Sequence, residues 1–150
     1  MRAVIQRVSQ ASVEIEEKEI RSIKEGLMIL LGVAPGDGHE DLEYLIRKIT
    51  GLRIFTDEMG KMNRCVKDIE GDALVVSQFT LMASTRKGMR PSFDAAAKPD
   101  EAIPLYNQFV ELLKKDIPGQ VQTGEFGAYM KVSLVNDGPV TIIIDSQNRE

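Results

Sequence analysis

The fold is decided by the stretch Ala73-Leu74-Val75-Val76-Ser77-Gln78-Phe79-Thr80, an apolar run that ends abruptly in polar residues. A continuous run of Ala, Leu and Val is typical of a strand that is buried on both faces. The polar end presents two hydroxyl groups, an amide and main-chain N–H groups at the tip of that strand. We therefore expect a buried strand over residues 73–81, with a functional site where it ends.

Strand patterns dominate the chain on both sides of this stretch. Alternating residues rich in Val and Ile predict a long strand over residues 3–15, followed by a charged turn. A second continuous apolar run, at residues 27–33, predicts another buried strand. Shorter strands are expected at residues 20–23 and 52–55. A hairpin is expected near the end of the chain, formed by residues 131–135 and 140–145.

Two segments have helical periodicity instead. The first follows a Pro-Gly break at residues 35–38, and its apolar face is formed by Leu42, Leu45, Ile46 and Ile49. The second spans residues 101–115 and has Pro104 in its first turn, where proline costs least. Loops are expected at residues 59–68 and 82–100.

Length and composition describe a single cytoplasmic domain. The 150 residues, 43% of them hydrophobic, suit one core, so we assign residues 1–150 to one domain. Many strands with two helices predict an α+β fold with a curled or closed, mostly antiparallel or mixed sheet. No apolar run is long enough to cross a bilayer, and Arg2 leads into a strand pattern instead of a signal sequence. Cys65 is the only cysteine and reads as a loop thiol in a reducing compartment.

The charge balance restricts the partners. A net charge of −4 argues against a general nucleic-acid binder, so DNA is not an expected partner, and the lack of a long apolar run argues against a membrane. One local basic cluster lies close to the polar strand end and consists of Arg86, Lys87 and Arg90. This cluster is either a solvated loop or a set of phosphate contacts for the end of an RNA.

Side chains for acid–base or metal catalysis are scarce. The only histidine, His39, lies at a predicted helix start and reads as a cap or surface residue. A Ser-His-Asp arrangement needs a histidine beside its nucleophile, and a metal site needs several spaced ligands. We therefore expect neither a metal nor an organic cofactor.

A second polar segment, Asn136-Asp137-Gly138-Pro139-Val140-Thr141, lies between the two strands of the expected hairpin. A Gly-Pro dipeptide forms a stiff corner with exposed carbonyl groups, and taken alone it is typical of a trans turn. The side chains of Asn136 and Asp137 are expected to hold this corner through hydrogen bonds to the backbone. Together with the polar strand end, the corner suggests a site that relies on main-chain groups.

These two segments resemble the paired signatures of the D-aminoacyl-tRNA deacylases, which are chiral-proofreading enzymes. Three further stretches resemble the same family in order along the chain: residues 1–8, 88–93 and 123–130. The resemblance implies a barrel-like mixed sheet, a homodimer, and hydrolysis of D-aminoacyl-tRNA to D-amino acid and free tRNA, with the 3′ end of the tRNA as the bound part.

The resemblance also implies roles for individual residues. The catalytic segment is Ser77, Gln78, Phe79 and Thr80. A cis Gly138-Pro139 corner from the partner subunit selects chirality by excluding an L side chain, so glycyl-tRNA is partly cleaved as well. The pocket for the substrate and its terminal adenosine is formed by Phe126, Gly127, Ala128, Met130, Val140 and Thr141.

A mechanism without a histidine needs main-chain donors. We expect the N–H groups of Gln78 and Phe79 to stabilise the oxyanion, and the 2′-hydroxyl of the terminal ribose to assist. Thr80 is either a nucleophile or, as we favour, a group that positions water. Two other functions remain open at this point: a tRNA-end binding module without chemistry, and a small-molecule esterase or amidase that uses Thr80 or Thr141 as its nucleophile.

Overall fold

The structure is a computed structural model that describes residues 1–149, and this part of the chain forms eight strands, two α-helices and one 3₁₀ turn. The helices are α1 (His39–Gly51) and α2 (Pro99–Asp116), and the 3₁₀ turn spans Phe79–Met82. The strands are β1 (Arg2–Ile15), β2 (Glu19–Ile23), β3 (Gly26–Gly32), β4 (Phe55–Thr56), β5 (Met62–Arg64), β6 (Asp72–Ser77), β7 (Val121–Thr123) and β8 (Met130–Asp145).

The main sheet has six strands and is built around β1. One edge of β1 pairs antiparallel with β8 along nearly its whole length, and the other edge pairs with β3 and then with β2. Parallel pairing adds β6 to β3 and β7 to β6. Contacts of β2 with β6 and β7 curl the sheet towards a closed barrel. The predicted α+β fold with a barrel-like mixed sheet is confirmed.

Both faces of the central strands are buried, as the continuous apolar runs predict. In β3, Leu27 and Ile29 face a core shared with α1 and α2, whereas Met28 faces a second cluster inside the curled sheet. In β6, Val75 faces the helices and Leu74 faces the second cluster. The end of β6 is therefore held rigidly from two sides.

The helices cover one face of this sheet. The predicted apolar face of α1 is confirmed, and its four residues are buried. Helix α2 begins at Pro99, two residues earlier than predicted, so Pro104 lies inside the helix and not in its first turn. The first-turn position that favours proline belongs to Pro99 instead.

The predicted hairpin at the end of the chain is wrong. Residues 130–145 form one strand, and both halves of β8 pair with β1, from Met130 opposite Ile15 to Asp145 opposite Arg2. The register shifts around Val8, where the Gly-Pro corner is accommodated as an irregularity. Because β1 is 14 residues long, it pairs with both halves and overrides the local turn signal.

Other boundaries also differ from the predictions. The strand expected at 73–81 ends at Ser77, because the chain then turns into the 3₁₀ segment. The strand expected at 52–55 is limited to Phe55–Thr56, which pairs with Met62–Arg64 inside the expected loop. Strand β7 was not predicted at all. These short strands are defined by their pairing partners, which the local sequence does not reveal.

Within residues 1–149, no helix combines the length and the apolar character that a membrane span requires.

Candidate active site

The end of β6 carries the first polar segment to the surface. Ser77 is half-buried as the last residue of the strand, and the side chains of Phe79 and Thr80 are exposed on the 3₁₀ turn. The N–H of Gln78 donates to the carbonyl oxygen of Leu31 at 2.8 Å. Because this donor is already used within the sheet, the geometry argues against the predicted oxyanion role of the Gln78 N–H.

The donors that remain are at the start of the turn. The N–H groups of Phe79 and Thr80 donate to no protein acceptor within residues 1–149. The side-chain amide of Gln78 donates to Oγ1 of Thr80, which leaves the hydroxyl proton of Thr80 available for another acceptor. The turn thus offers two adjacent main-chain donors and one oriented hydroxyl group.

Arg2 fixes the far end of this turn to β8. Its Nη1 donates to the carbonyl oxygen of Leu81 at 2.8 Å, while Nε and Nη2 donate to Oδ2 of Asp145 at 3.0 and 2.8 Å. The side chain of Asp145 is 19% exposed, so water screens this ion pair only in part. Arg2 was not predicted to have any role near the site.

The pKa values of two carboxylates, Asp145 and Asp41, are shifted by their surroundings in this part of the fold. Burial raises the pKa of Asp145, but donors from the Gln147 and Asn148 backbone and from Arg2 outweigh it and lower the pKa overall. Burial also raises the pKa of Asp41, but hydrogen bonds from Ser146 and from the backbone of Gly38 help to lower it overall. The folded protein therefore favours the charged form of both carboxylates.

Acid should destabilise the protein through these groups. A carboxylate with a lowered pKa in the folded state adds stability above its unfolded pKa of about 3.9 and loses it as the pH falls through the folded value. We expect the urea concentration at the unfolding midpoint to decrease as the pH is lowered from 5 to 3. We also expect Asp145→Asn to cost more stability at pH 7 than at pH 3. Glu58→Gln, at an exposed turn residue, is the control. An equal cost of Asp145→Asn at both pH values would contradict this assignment.

The segment 124–130 lies beside the end of β6. The N–H of Gly124 donates to the carbonyl oxygen of Val75 at 2.9 Å, so this segment continues past β7 at the level of the polar strand end. The ring of Phe126 packs edge-on against Tyr106, with 6.2 Å between ring centroids. Burial raises the pKa of Tyr106 to about 12, and its hydroxyl donates to Val75.

Within this segment the predicted pocket residues differ in exposure. Phe126 is partly buried against the helical core, so core packing accounts for part of its side chain. Ala128 and Met130 pack against the second cluster, and the Met130 sulfur accepts the N–H of Glu125 at 3.4 Å. Gly127 is exposed and has φ = 78°, a conformation that favours glycine.

The Gly-Pro corner is exposed and tightly braced. The Gly138-Pro139 peptide bond is cis. Arg7 donates from Nε to the carbonyl oxygen of Asp137 at 2.8 Å and from Nη1 to the carbonyl oxygen of Ile54. The side chain of Asn136 accepts the N–H of Val140 and donates to Oγ1 of Thr141, both at 2.9 Å. The prediction that side chains hold the corner is confirmed for Asn136. It is not confirmed for Asp137, whose carboxylate lies 3.7 Å from Nε of Arg7 and accepts no backbone N–H within residues 1–149.

Within one subunit, the Gly-Pro corner lies at a distance from the polar strand end. The corner faces Arg7 on β1, whereas Ser77 pairs with Leu31, which pairs with Ala3. Three interstrand spacings and about four residues along β1 separate them, which amounts to roughly 15–20 Å. By the same reasoning Thr141 lies about 30 Å along the sheet from Met130.

The basic cluster lies on a loop that directly follows the 3₁₀ turn. We call residues 84–92 the basic loop. Reciprocal backbone hydrogen bonds between Ser84 and Ser92, at 2.8 and 2.9 Å, close it. Arg86, Lys87 and Arg90 are exposed on it.

His39 and Cys65, which were not expected to be catalytic, make their contacts away from the polar strand end. His39 is the first residue of α1, and its Nε2 lies 3.2 Å from the carboxylate of Glu43. Cys65 is a free thiol at the end of the β5 region, where its N–H donates to Asp68.

Comparison with known proteins identifies the family. The family described as D-Tyr-tRNA(Tyr) deacylase matches residues 4–145. The chain belongs to the D-Tyr-tRNA(Tyr) deacylase family. The predicted resemblance and the predicted enzyme class are both confirmed.

Individual relatives support this membership. Proteins named D-aminoacyl-tRNA deacylase from Flavobacterium johnsoniae and Flavobacterium psychrophilum are 56% and 58% identical over 150 residues, covering all of both chains. A solved structure titled c-Myc DNA Unwinding Element Binding Protein has a TM-score of 0.90 at 44% identity, covering 97% of this chain and 98% of the other. A second, titled as a probable eukaryotic D-amino acid tRNA deacylase, has a TM-score of 0.80 at 18% identity, covers 95% of this chain and 97% of that one, and shows the shared fold alone.

Sequence reasoning missed the residues that hold the site in place. Gln6 donates to Oγ1 of Thr141 at 3.3 Å, and Arg7 and Arg2 brace the corner and the turn. Polar side chains that interrupt the apolar alternation of β1 were the available signal. Their partners lie more than 40 residues away, so the sequence could not name them.

Proposed function

We propose that the protein hydrolyses the ester bond of D-aminoacyl-tRNA and releases a free D-amino acid and free tRNA in the cytoplasm. The observation that carries this proposal is the full-length family match together with two unused main-chain donors at the strand end. The reaction needs no cofactor in this scheme, because the aminoacyl ester is already reactive.

Oxyanion stabilisation is assigned to the start of the 3₁₀ turn. The N–H of Phe79 is the main donor, and the neighbouring N–H of Thr80 replaces the donor first expected from Gln78. Each donor of this kind contributes typically about 3 kcal/mol to the transition state. Ser77 and Gln78 contribute by shaping the turn and by orienting Thr80.

Proton transfer is assigned to the substrate. Within residues 1–149, Thr80 forms no hydrogen bond with His39, the only histidine of the sequence, so its hydroxyl is not activated as a nucleophile by that side chain. The 2′-hydroxyl of the terminal ribose is adjacent to the scissile ester and can act as donor and acceptor. Thr80 then positions the attacking water.

Chiral selection is assigned to a homodimer. The outer edge of β8 has no strand partner within residues 1–149, and it carries the exposed side chains of Val135 and Ile143. A long exposed edge with apolar residues is unusual for a monomer. Since the corner lies roughly 15–20 Å from the polar strand end of its own subunit, it can serve a site only across a dimer interface.

In that dimer, Gly138 and Pro139 of one subunit form a main-chain wall beside the substrate Cα of the other. An L side chain collides with the wall, whereas a D side chain points away. Specificity therefore lies in what is excluded. The backbone wall does not depend on the identity of the side chain, so many D-amino acids are accepted.

The adenosine pocket also spans two subunits in this scheme. Phe126, Gly127, Ala128 and Met130 belong to the segment that leaves β7 beside Val75, whereas Val140 and Thr141 flank the corner. A partly apolar pocket with backbone groups suits adenine, which proteins bind by stacking and edge hydrogen bonds. Arg86, Lys87 and Arg90 contact the tRNA phosphates.

Glycyl-tRNA tests the steric wall. Glycine has no side chain to collide, so we expect cleavage of glycyl-tRNA at a rate between those of a D-ester and an L-ester. The measurement is single-turnover hydrolysis of glycyl-tRNA and L-alanyl-tRNA at equal, high enzyme concentration. Complete resistance of glycyl-tRNA would argue against exclusion by collision.

A further inference from the structure

We propose that Phe79, Phe93 and the basic loop form a subsite for the unpaired nucleotides that precede the terminal adenosine of the tRNA. This inference rests on the proposed function, because it extends the same site along the substrate. It assigns a stacking role to Phe93, which lies outside the residues expected to bind substrate.

The aromatic pair lies at the edge of the oxyanion donors. The rings of Phe79 and Phe93 pack edge to face, with 5.1 Å between centroids and 69° between planes. Even so, Phe79 is 53% exposed and Phe93 is 37% exposed. Two apolar rings held together in solvent offer a platform on which a nucleobase can stack.

The basic loop supplies charge next to this platform. Arg86, Lys87 and Arg90 form no salt bridge with any residue in the range 1–149. Asp94 is the acidic residue nearest in sequence, and it already accepts the hydroxyl of Ser92 at 2.7 Å. In a chain with a net charge of −4, three unpaired cations beside two exposed rings point to a phosphate-bearing ligand.

The combination of rings and cations favours a single strand. Stacking on aromatic side chains requires bases that are unpaired and accessible, and phosphate contacts follow the same strand. A base-paired stem presents phosphates but hides its base faces. The platform also adjoins the donors assigned to the ester, so the nucleotides next to the terminal adenosine are the ones it can reach.

Binding of a short RNA tests the subsite without any turnover. The probe is a fluorescein-labelled single-stranded RNA of five nucleotides ending in CCA, compared with the same RNA closed into a blunt duplex. We expect Phe93→Leu to weaken single-strand binding about tenfold and Phe93→Tyr to restore it. Arg86→Gln should reduce the slope of log K against log salt by about 0.7, and Arg47→Gln, at an exposed arginine on α1, should leave it unchanged.

Kinetics separate this inference from the proposed function. Phe93→Leu should raise KM for D-tyrosyl-tRNA about tenfold with kcat unchanged. If D-tyrosyl-tRNA is not cleaved but RNA binding depends on Phe93, the subsite stands and the deacylase assignment fails. If cleavage proceeds and Phe93→Leu alters neither RNA binding nor KM, the subsite is wrong. The subsite would also be wrong if duplex and single strand bound equally, if the RNA did not bind, or if Phe93→Leu changed only the mass of the dimer.

Discussion

We expect the Phe79→Pro variant to hydrolyse D-aminoacyl-tRNA about 10²–10³-fold more slowly than Phe79→Ala, because only proline removes the main-chain N–H that binds the oxyanion. Both variants lose the phenyl ring, so a comparison between them isolates the donor. The ring itself contributes to RNA binding in our proposal, and its loss should change KM similarly in both variants.

The backbone at this position can accept proline. Phe79 is the first residue of the 3₁₀ turn, where proline's fixed φ is tolerated. Gln78 before it has φ = −141° and ψ = 81°, outside the helical region that a following proline disfavours. The readout is the rate constant of hydrolysis under single-turnover conditions at saturating enzyme, with circular dichroism to verify the fold. Equal rate constants for the proline and alanine variants would remove the Phe79 N–H from the mechanism.

The second large effect is expected from the substrate. A D-aminoacyl-tRNA whose terminal ribose lacks the 2′-hydroxyl should be cleaved about 10²–10⁴-fold more slowly, which is the range for general acid–base assistance. Thr80→Val, which removes the hydroxyl without changing the size of the side chain, should cost less than about tenfold, because Thr80 only positions water.

The two changes discriminate between the mechanisms that the residues allow. Threonine as a nucleophile predicts the reverse order: a large loss in Thr80→Val or in the matched Thr141→Val variant, and little effect of the missing 2′-hydroxyl. It also predicts turnover of simple esters that contain no ribose. A rate for Thr80→Val below that of the deoxy substrate would contradict substrate assistance.

Much of the fold followed from local pattern. The apolar runs at 27–33 and 73–76 have no polar face, and the structure buries both faces of β3 and β6. The apolar face of α1 was predicted residue by residue. These elements could be predicted because their burial is recorded in their own sequence.

Elements that depend on distant partners could not be predicted in the same way. The Gly-Pro corner gave a strong turn signal, yet β8 continues through it because β1 supplies pairing on both sides. The three-residue strand β7 exists because it pairs with β6. In each case tertiary pairing overrode local propensity.

The candidate site shows the same division. The positions of Ser77 to Thr80 at a strand end were predicted, but which N–H groups stay unused depended on the neighbouring strand. Leu31 accepts the N–H of Gln78, and that contact across β3 and β6 left Phe79 and Thr80 as the donors. The registers of β1 with β8 and β3, and of β3 with β6, likewise place the corner away from the end of β6, which the local sequence does not indicate.

The most direct test compares hydrolysis of D-tyrosyl-tRNA and L-tyrosyl-tRNA by the purified protein under single-turnover conditions. A wall that excludes the L side chain by collision should favour the D-ester by at least about 10²–10³-fold, which corresponds to about 3–4 kcal/mol. That ratio is the predicted result. Equal cleavage of both esters, or cleavage of neither, would contradict the account.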